Sequence, residues 1–238
     1  ILQFIQIGFG QGKKCSEIDS NLCYVKEKYP ISKFAIEKKF ESRDSIVTIQ
    51  TPLLADMDGD CIPELIMPAY DRTTILIINS QTGVLKWKFS TPAIDHGVNG
   101  LAVADIDGDG ILEIFFEAAP SFPNPGNIAA KLFCYHGDGK LVWISDQRVD
   151  LYTQFRETPG GTPALADFNQ DGIPEIYVNN KIFNARTGIK LADGGPNGIG
   201  RGVAVNFAGD ALTIAAQLDE DSTDLELAAG YTVYKVII

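Results

Sequence analysis

One segment recurs three times along the chain: "ADMDGDCIPEL" (55–65), "ADIDGDGILEI" (104–114) and "ADFNQDGIPEI" (166–176). Each copy crowds acidic side chains into a few positions and then runs directly into apolar residues. The first aspartates, Asp56, Asp105 and Asp167, stand 49 and 62 residues apart. A long-period repeat of this kind restricts the fold to stacked or radially arranged units, because one unit cannot bury its own hydrophobic faces.

The residues between the acidic segments are short β-rich runs joined by turn residues. A short run precedes each loop ("TPLLAD", "NGLAVAD", "GTPALAD") and another follows it ("ELIMPAY", "EIFFEAA", "EIYVNN"). A third run ("TTILIINS", "KLFCYHG", "KIFNA") leads through a Gly-containing turn into a fourth ("VLKWKF", "KLVWIS", "GIKLA"). Helical periodicity is almost absent. Four short antiparallel strands per repeat predict an all-β fold, a β-propeller with about four blades visible. A degraded fourth copy covers "LTIAAQLDEDSTDLELAAGYTVYKVII", and "SKFAIEKKF" (32–40) stands where "VLKWKF" stands, as the outer strand of a preceding blade. Propellers of more blades need strands beyond these, so the sequence is expected to be part of a longer protein with further blades or domains.

The spacing Asp-x-Asp/Asn-x-Asp-Gly-x-x-Glu places oxygen donors at positions 1, 3, 5 and 9 of a tight coil. These are Asp56, Asp58, Asp60 and Glu64; Asp105, Asp107, Asp109 and Glu113; and Asp167, Asn169, Asp171 and Glu175. The backbone carbonyls of Ile62, Ile111 and Ile173 are expected to add a donor at position 7. Carboxylates this close repel each other unless a cation lies between them. A donor set made only of hard oxygens suits Ca²⁺, which takes roughly six to eight such ligands. Two to three bound ions are predicted. The first loop departs from the pattern because Cys61 replaces the glycine at position 6, a conformation costing about 1 kcal/mol or more for a side-chain-bearing residue. In the fourth copy Asp219, Asp221, Asp224 and Glu226 have the wrong spacing and predict a hydrogen-bonded turn.

The loops resemble the calcium loops of FG-GAP (VCBS-like) repeats, the blades of the integrin α-chain propeller and of many bacterial surface proteins. That resemblance implies Ca²⁺ held by the carboxylates at positions 1, 3, 5 and 9. The turns "NSQTGVLKWKF" and "GDGKLVWIS" also resemble quinoprotein-type propeller repeats, and Trp87 and Trp143 at equivalent places are expected in the core between blades.

Net charge is −11 with a pI near 4.6, and the three loops hold eleven acidic side chains. No basic stripe is present to neutralise phosphates, which argues against nucleic acid and anionic membranes as partners. Cys15 and Cys23 are expected to form a disulfide in an oxidising compartment. Neither they nor Cys61 and Cys134 show zinc-ligand spacing. Residues 1–11, "ILQFIQIGFGQ", are read as the remnant of a secretory signal peptide, residues 12–31 as an N-terminal extension, and residues 32–238 as blades. No run approaches the roughly 18 apolar residues a spanning helix needs, so no direct membrane insertion is expected.

His96 and His136 are placed in loops without a nucleophile partner, and neither GxSxG nor HExxH occurs. The expected function is therefore adhesion, or binding of a protein or glycan ligand, by a secreted or cell-surface protein without catalysis. The alternative is a calcium-dependent propeller lyase acting on polysaccharide, for which Asp95, Arg156, Glu157 and Arg201 are the loop candidates.

Overall fold

The computed structural model describes residues 36–41, 44–46, 51–91, 99–118, 130–149, 162–194, 213–217, 224–229 and 232–238. The expected signal remnant and N-terminal extension lie outside them, as do Cys15, Cys23, Asp95, His96, Arg156, Glu157, Arg201, Asp219 and Asp221.

Among the described residues every regular element is a strand, and the strands group into four antiparallel sheets. The first blade runs β1 (Leu53–Ala55), β2 (Glu64–Pro68), β3 (Thr74–Asn79) and β4 (Leu85–Ser90). The second runs β5 (Asn99–Ala104), β6 (Glu113–Ala118), β7 (Lys131–His136) and β8 (Leu141–Ile144). In the third are β9 (Ala164–Ala166), β10 (Glu175–Val178), β11 (Lys181–Asn184) and β12 (Lys190–Asp193). The degraded fourth copy forms a three-stranded sheet of β13 (Thr213–Ala216), β14 (Glu226–Ala229) and β15 (Thr232–Lys235). In every sheet consecutive strands are neighbours. The all-β, propeller-like arrangement expected from the repeats is what the strands form.

Burial explains why the strands do not alternate cleanly. Strands β6 and β10 are buried at every position, and β3 and β7 at their four central positions. Such strands are covered on both faces, which is what near-continuous apolar runs indicate. The outer strands β4, β8 and β12 are largely half-buried or exposed. By contrast, β2 alternates between buried and half-buried residues, the pattern of a sheet packed on one face.

Each hydrophobic cluster is a seam between two adjacent blades rather than the interior of one. The first joins Ile66 and Ile77 of the first blade to Ile114, Phe116 and Tyr135 of the second. The second seam joins Phe115, Cys134 and Trp143 to Ile176 and Phe183, and the third joins Tyr177 and Ile182 to Leu227. Fully burying one such side chain contributes roughly 1.5–3 kcal/mol, and each seam holds several of them.

The tryptophans hold the seams, as expected. Trp87 Nε1 donates to Gly137 O at 3.1 Å, and Trp143 Nε1 donates to Ala185 O at 3.0 Å. An aromatic side chain also abuts the turn glycine of the following blade. A Cβ at Gly188, where φ is +70°, would come within 2.5 Å of Trp143, and one at Gly139 within 2.8 Å of Phe89. Phe40 stands against Gly83 in the same way, at 2.5 Å. Residues 36–40 form no regular strand, yet Phe40 occupies the place that Phe89 takes one repeat later.

Cys134 is buried and free, and burial pushes its thiol pKa well up. Cys61 is disulfide-bonded, which was not expected. Its partner lies outside the described residues. Cys15 and Cys23, the expected pair, lie outside the described residues.

Candidate metal centres

Each acidic loop links the first strand of a blade to the second, so its beginning and its closing glutamate are fixed by strand pairing. Ala55 pairs with Glu64, Ala104 with Glu113 and Ala166 with Glu175. The second residue of each loop, Met57, Ile106 or Phe168, is buried in a seam. Its amide donates to the closing glutamate: Met57 N to Glu64 Oε2 at 2.9 Å, Ile106 N to Glu113 Oε2 at 3.0 Å, and Phe168 N to Glu175 Oε2 at 3.0 Å. Position 9 thus ties down the core-facing backbone of each loop with one of its two oxygens.

Position 1 organises the coil. Asp56 accepts from the amides of Gly59 at 2.8 Å and Cys61 at 2.9 Å; Asp105 accepts from Gly108 at 2.7 Å and Gly110 at 3.1 Å; Asp167 accepts from Asp171 at 3.0 Å and Gly172 at 2.8 Å. Position 5 accepts from the amide of position 7, at 2.8 Å in the first loop, 2.7 Å in the second and 2.8 Å in the third. Position 6 is left-handed in all three, at φ +88° for Gly110, +85° for Gly172 and +67° for Cys61. The expected strain at Cys61 is therefore present in the backbone.

The loops differ in what meets their carboxylates. In the second, Asp105, Asp107 and Glu113 each offer an oxygen within 4.8 Å of the others, and oxygens of Asp109 and Glu113 converge in the same way with a ring nitrogen of His136. Glu113 is 2% exposed, and its Oε1 has no hydrogen-bond partner. Burial pushes its pKa up to about 7. An orphaned buried carboxylate oxygen facing other acids is a cost that a hard cation removes, so these residues fit Ca²⁺.

The third loop shares the bonds of the closing glutamate, of position 1 to the position 6 amide and of position 5 to the position 7 amide. Asn169 replaces one carboxylate there, and no trio of acids converges within that distance. Burial raises Glu175 as well. In the first loop Asp56, Asp58 and Glu64 converge, but Lys86 Nζ lies among the carboxylates, 2.7 Å from Asp58 Oδ2, 3.0 Å from Asp60 Oδ2 and 2.8 Å from Glu64 Oε1. Burial works against the lysine's charge, yet the hydrogen bonds to Asp58, Glu64 and Asp60 outweigh it and raise its pKa. The Lys86 bond in turn holds Asp60 below the usual carboxylate range.

Sequence reasoning missed Lys86 and underrated His136. His136 is the cross-strand partner of Glu113. Its Nε2 lies 3.3 Å from Asp109 Oδ2 and its Nδ1 2.9 Å from Asp138 Oδ1. The first and third blades have Asn79 and Asn184 there, each capping its turn through Oδ1. In the degraded fourth loop, the described residues Asp224 and Glu226 join no convergent group.

The second and third loops flank a cleft of about 390 Å³ lined by Asp105, Ile106, Gly108, Gly172, Ile173, Pro174 and Arg186. Arg186 Nε crosses between blades to donate to Ile106 O at 2.8 Å.

One stretch of the chain matches a known family. The family described as FG-GAP-like repeat matches residues 56–116, which span the first acidic loop, the rest of its blade and the second loop. Residues 56–116 are thus similar to an FG-GAP-like repeat. Integrin alpha pat-2 of Caenorhabditis elegans is 28% identical over 117 residues, which is 48% of this chain and 9% of that protein. The chain therefore spans about a tenth of the length of that relative. Among solved structures, the V. cholerae biofilm matrix protein Bap1 superposes with a TM-score of 0.49 at 22% identity, over 75% of this chain and 23% of that one. The exotype rhamnogalacturonan lyase YesX gives a TM-score of 0.37 at 15% identity, over 76% and 44% of the two chains. Neither structural likeness bears on function. No helix among the described residues is long and apolar enough to cross a membrane.

Proposed function

We propose that this chain is a calcium-stabilised FG-GAP-type propeller segment of a secreted or cell-surface protein, which binds a protein or glycan ligand through its blade faces and loops. The observation that carries the calcium reading is Glu113, whose buried Oε1 has no partner while its carboxylate stands among those of Asp105 and Asp107. In the second loop Asp105, Asp107, Asp109, Glu113 and the carbonyl of Ile111 would hold one ion. In the third, Asp167, Asn169, Asp171, Glu175 and the carbonyl of Ile173 would hold another. An ion there neutralises the clustered acids and leaves the closing glutamate free to be charged. The disulfide at Cys61 accords with an oxidising, extracellular compartment, as does the integrin α relative.

Native mass spectrometry in millimolar calcium tests the metal reading. Asp107→Asn and Asp171→Asn should each lose one ion from the wild-type count; a wild type that retains no calcium overturns it. Binding to arrays of glycans and extracellular proteins tests the rest. Calcium-dependent capture of at least one class supports the ligand-binding role, and no capture by either array contradicts it.

A further inference from the structure

The first acidic loop already has a cation among its carboxylates. Lys86 Nζ makes three close contacts, with Asp58 Oδ2, Asp60 Oδ2 and Glu64 Oε1 at 2.7, 3.0 and 2.8 Å. An ammonium has three N–H donors, so all of them are used inside the loop.

The lysine arrives there through a recurring irregularity of the sheet. Ile77 pairs with Trp87 and Ile78 with Leu85, which leaves Lys86 as the extra residue of a β-bulge. The second blade has the same shift between Cys134 and Tyr135, and its extra residue is Val142. In the third blade the shift falls between Ile182 and Phe183, and the extra residue is Leu191. Both are exposed apolar side chains that neutralise nothing. The glutamates answer accordingly: Oε1 of Glu64 is bonded to the lysine, and Oε1 of Glu113 is without a partner.

We propose that Lys86 is the resident cation of the first loop, a tethered ammonium that replaces the metal ion, so that this loop closes without calcium while the second and third depend on it. A divalent ion at the same point would have to displace Nζ and bring a like charge against it. The tethered group, moreover, is present at a fixed, high local concentration whatever the calcium level. Cys61 supports the same reading: at position 6, where the other loops have glycine, this loop is closed by a disulfide-bonded residue. The first blade thereby stays assembled when calcium is withdrawn. The inference rests on the reading that such loops close around a cation, and the two fail differently.

The test counts calcium by native mass spectrometry in wild type, Asp58→Asn, Lys86→Met and the double variant, with far-ultraviolet circular dichroism confirming the fold. Wild type and Asp58→Asn should retain the same number of ions. Lys86→Met should gain one, and the double variant should lose that gain. An ion lost from the wild-type count in Asp58→Asn, or a folded Lys86→Met with no gain, overturns the proposal. Should Lys86→Met not fold, melting of Asp58→Asn decides: an equal loss of Tm in calcium and in chelator supports the lysine, and a loss confined to calcium refutes it. Counts unchanged by Asp107→Asn and Asp171→Asn would instead refute the calcium reading of the other two loops.

Discussion

Replacing Glu113 with glutamine should reverse sign with calcium. In the metal-free protein, burial pushes the Glu113 pKa from 4.5 to about 7. A carboxyl whose folded pKa is raised contributes stability below pH 4.5 that is lost as pH climbs through about 7. Above that, keeping it charged costs on the order of 3 kcal/mol. Glutamine keeps the acceptor for the Ile106 amide, and its NH₂ meets acids that accept from it. Part of the relief is offset by imperfect geometry, which leaves a gain of about 1–2 kcal/mol in chelator near pH 8, or roughly 3–6 °C in Tm for a chain of this size. With calcium at about a thousand times the wild-type Kd, binding adds about 4 kcal/mol to wild type. A site weakened about a hundredfold adds only about 1.4 kcal/mol. The variant should therefore be the more stable protein in chelator and the less stable one, by about 1 kcal/mol, in calcium. Thermal melts by circular dichroism in both conditions, repeated near pH 5 where the chelator advantage should vanish, decide the matter. A variant less stable than wild type in chelator at pH 8 would refute the buried-charge argument.

Two further outcomes test the seams. Gly188→Ala forces a left-handed φ on alanine and drives its Cβ to 2.5 Å from the Trp143 ring, so it should cost about 2–4 kcal/mol in chemical denaturation. Gly59→Ala, with φ +73° and nothing within 4 Å, should cost only about 1 kcal/mol, and equal losses would contradict the packing role. Trp143→Phe removes the donor to Ala185 O and should cost about 1–3 kcal/mol, with a cooperative transition retained.

The strands and loops were legible because both have short-range signatures. Two aspartates and a glycine fix the coil, and a glutamate eight positions after the first aspartate fixes the pairing across its neck, all within one stretch of eleven residues. The seam role of Trp87 and Trp143 was legible from their equivalent places after the turn glycines. Lys86 was not, because it lies 22 to 28 residues from its carboxylates and reaches them only through a bulge, whose position no periodicity reveals. In sequence "LKWKF" gives Lys86 and Lys88 the same appearance. His136 was missed for a related reason: its place beside Glu113 is a cross-strand register, whereas in sequence it is a residue of a turn. The disulfide at Cys61 was not legible, because near-neighbour spacing says nothing about a lone cysteine inside an acidic loop.

The closing glutamates carry a last consequence. In each of the first three blades the glutamate that closes the acidic loop also accepts from the amide of a residue plugged into the hydrophobic seam. Filling the loop and seating that plug are thus a single event, and whatever disturbs the charge at the rim is felt as slackness between neighbouring blades.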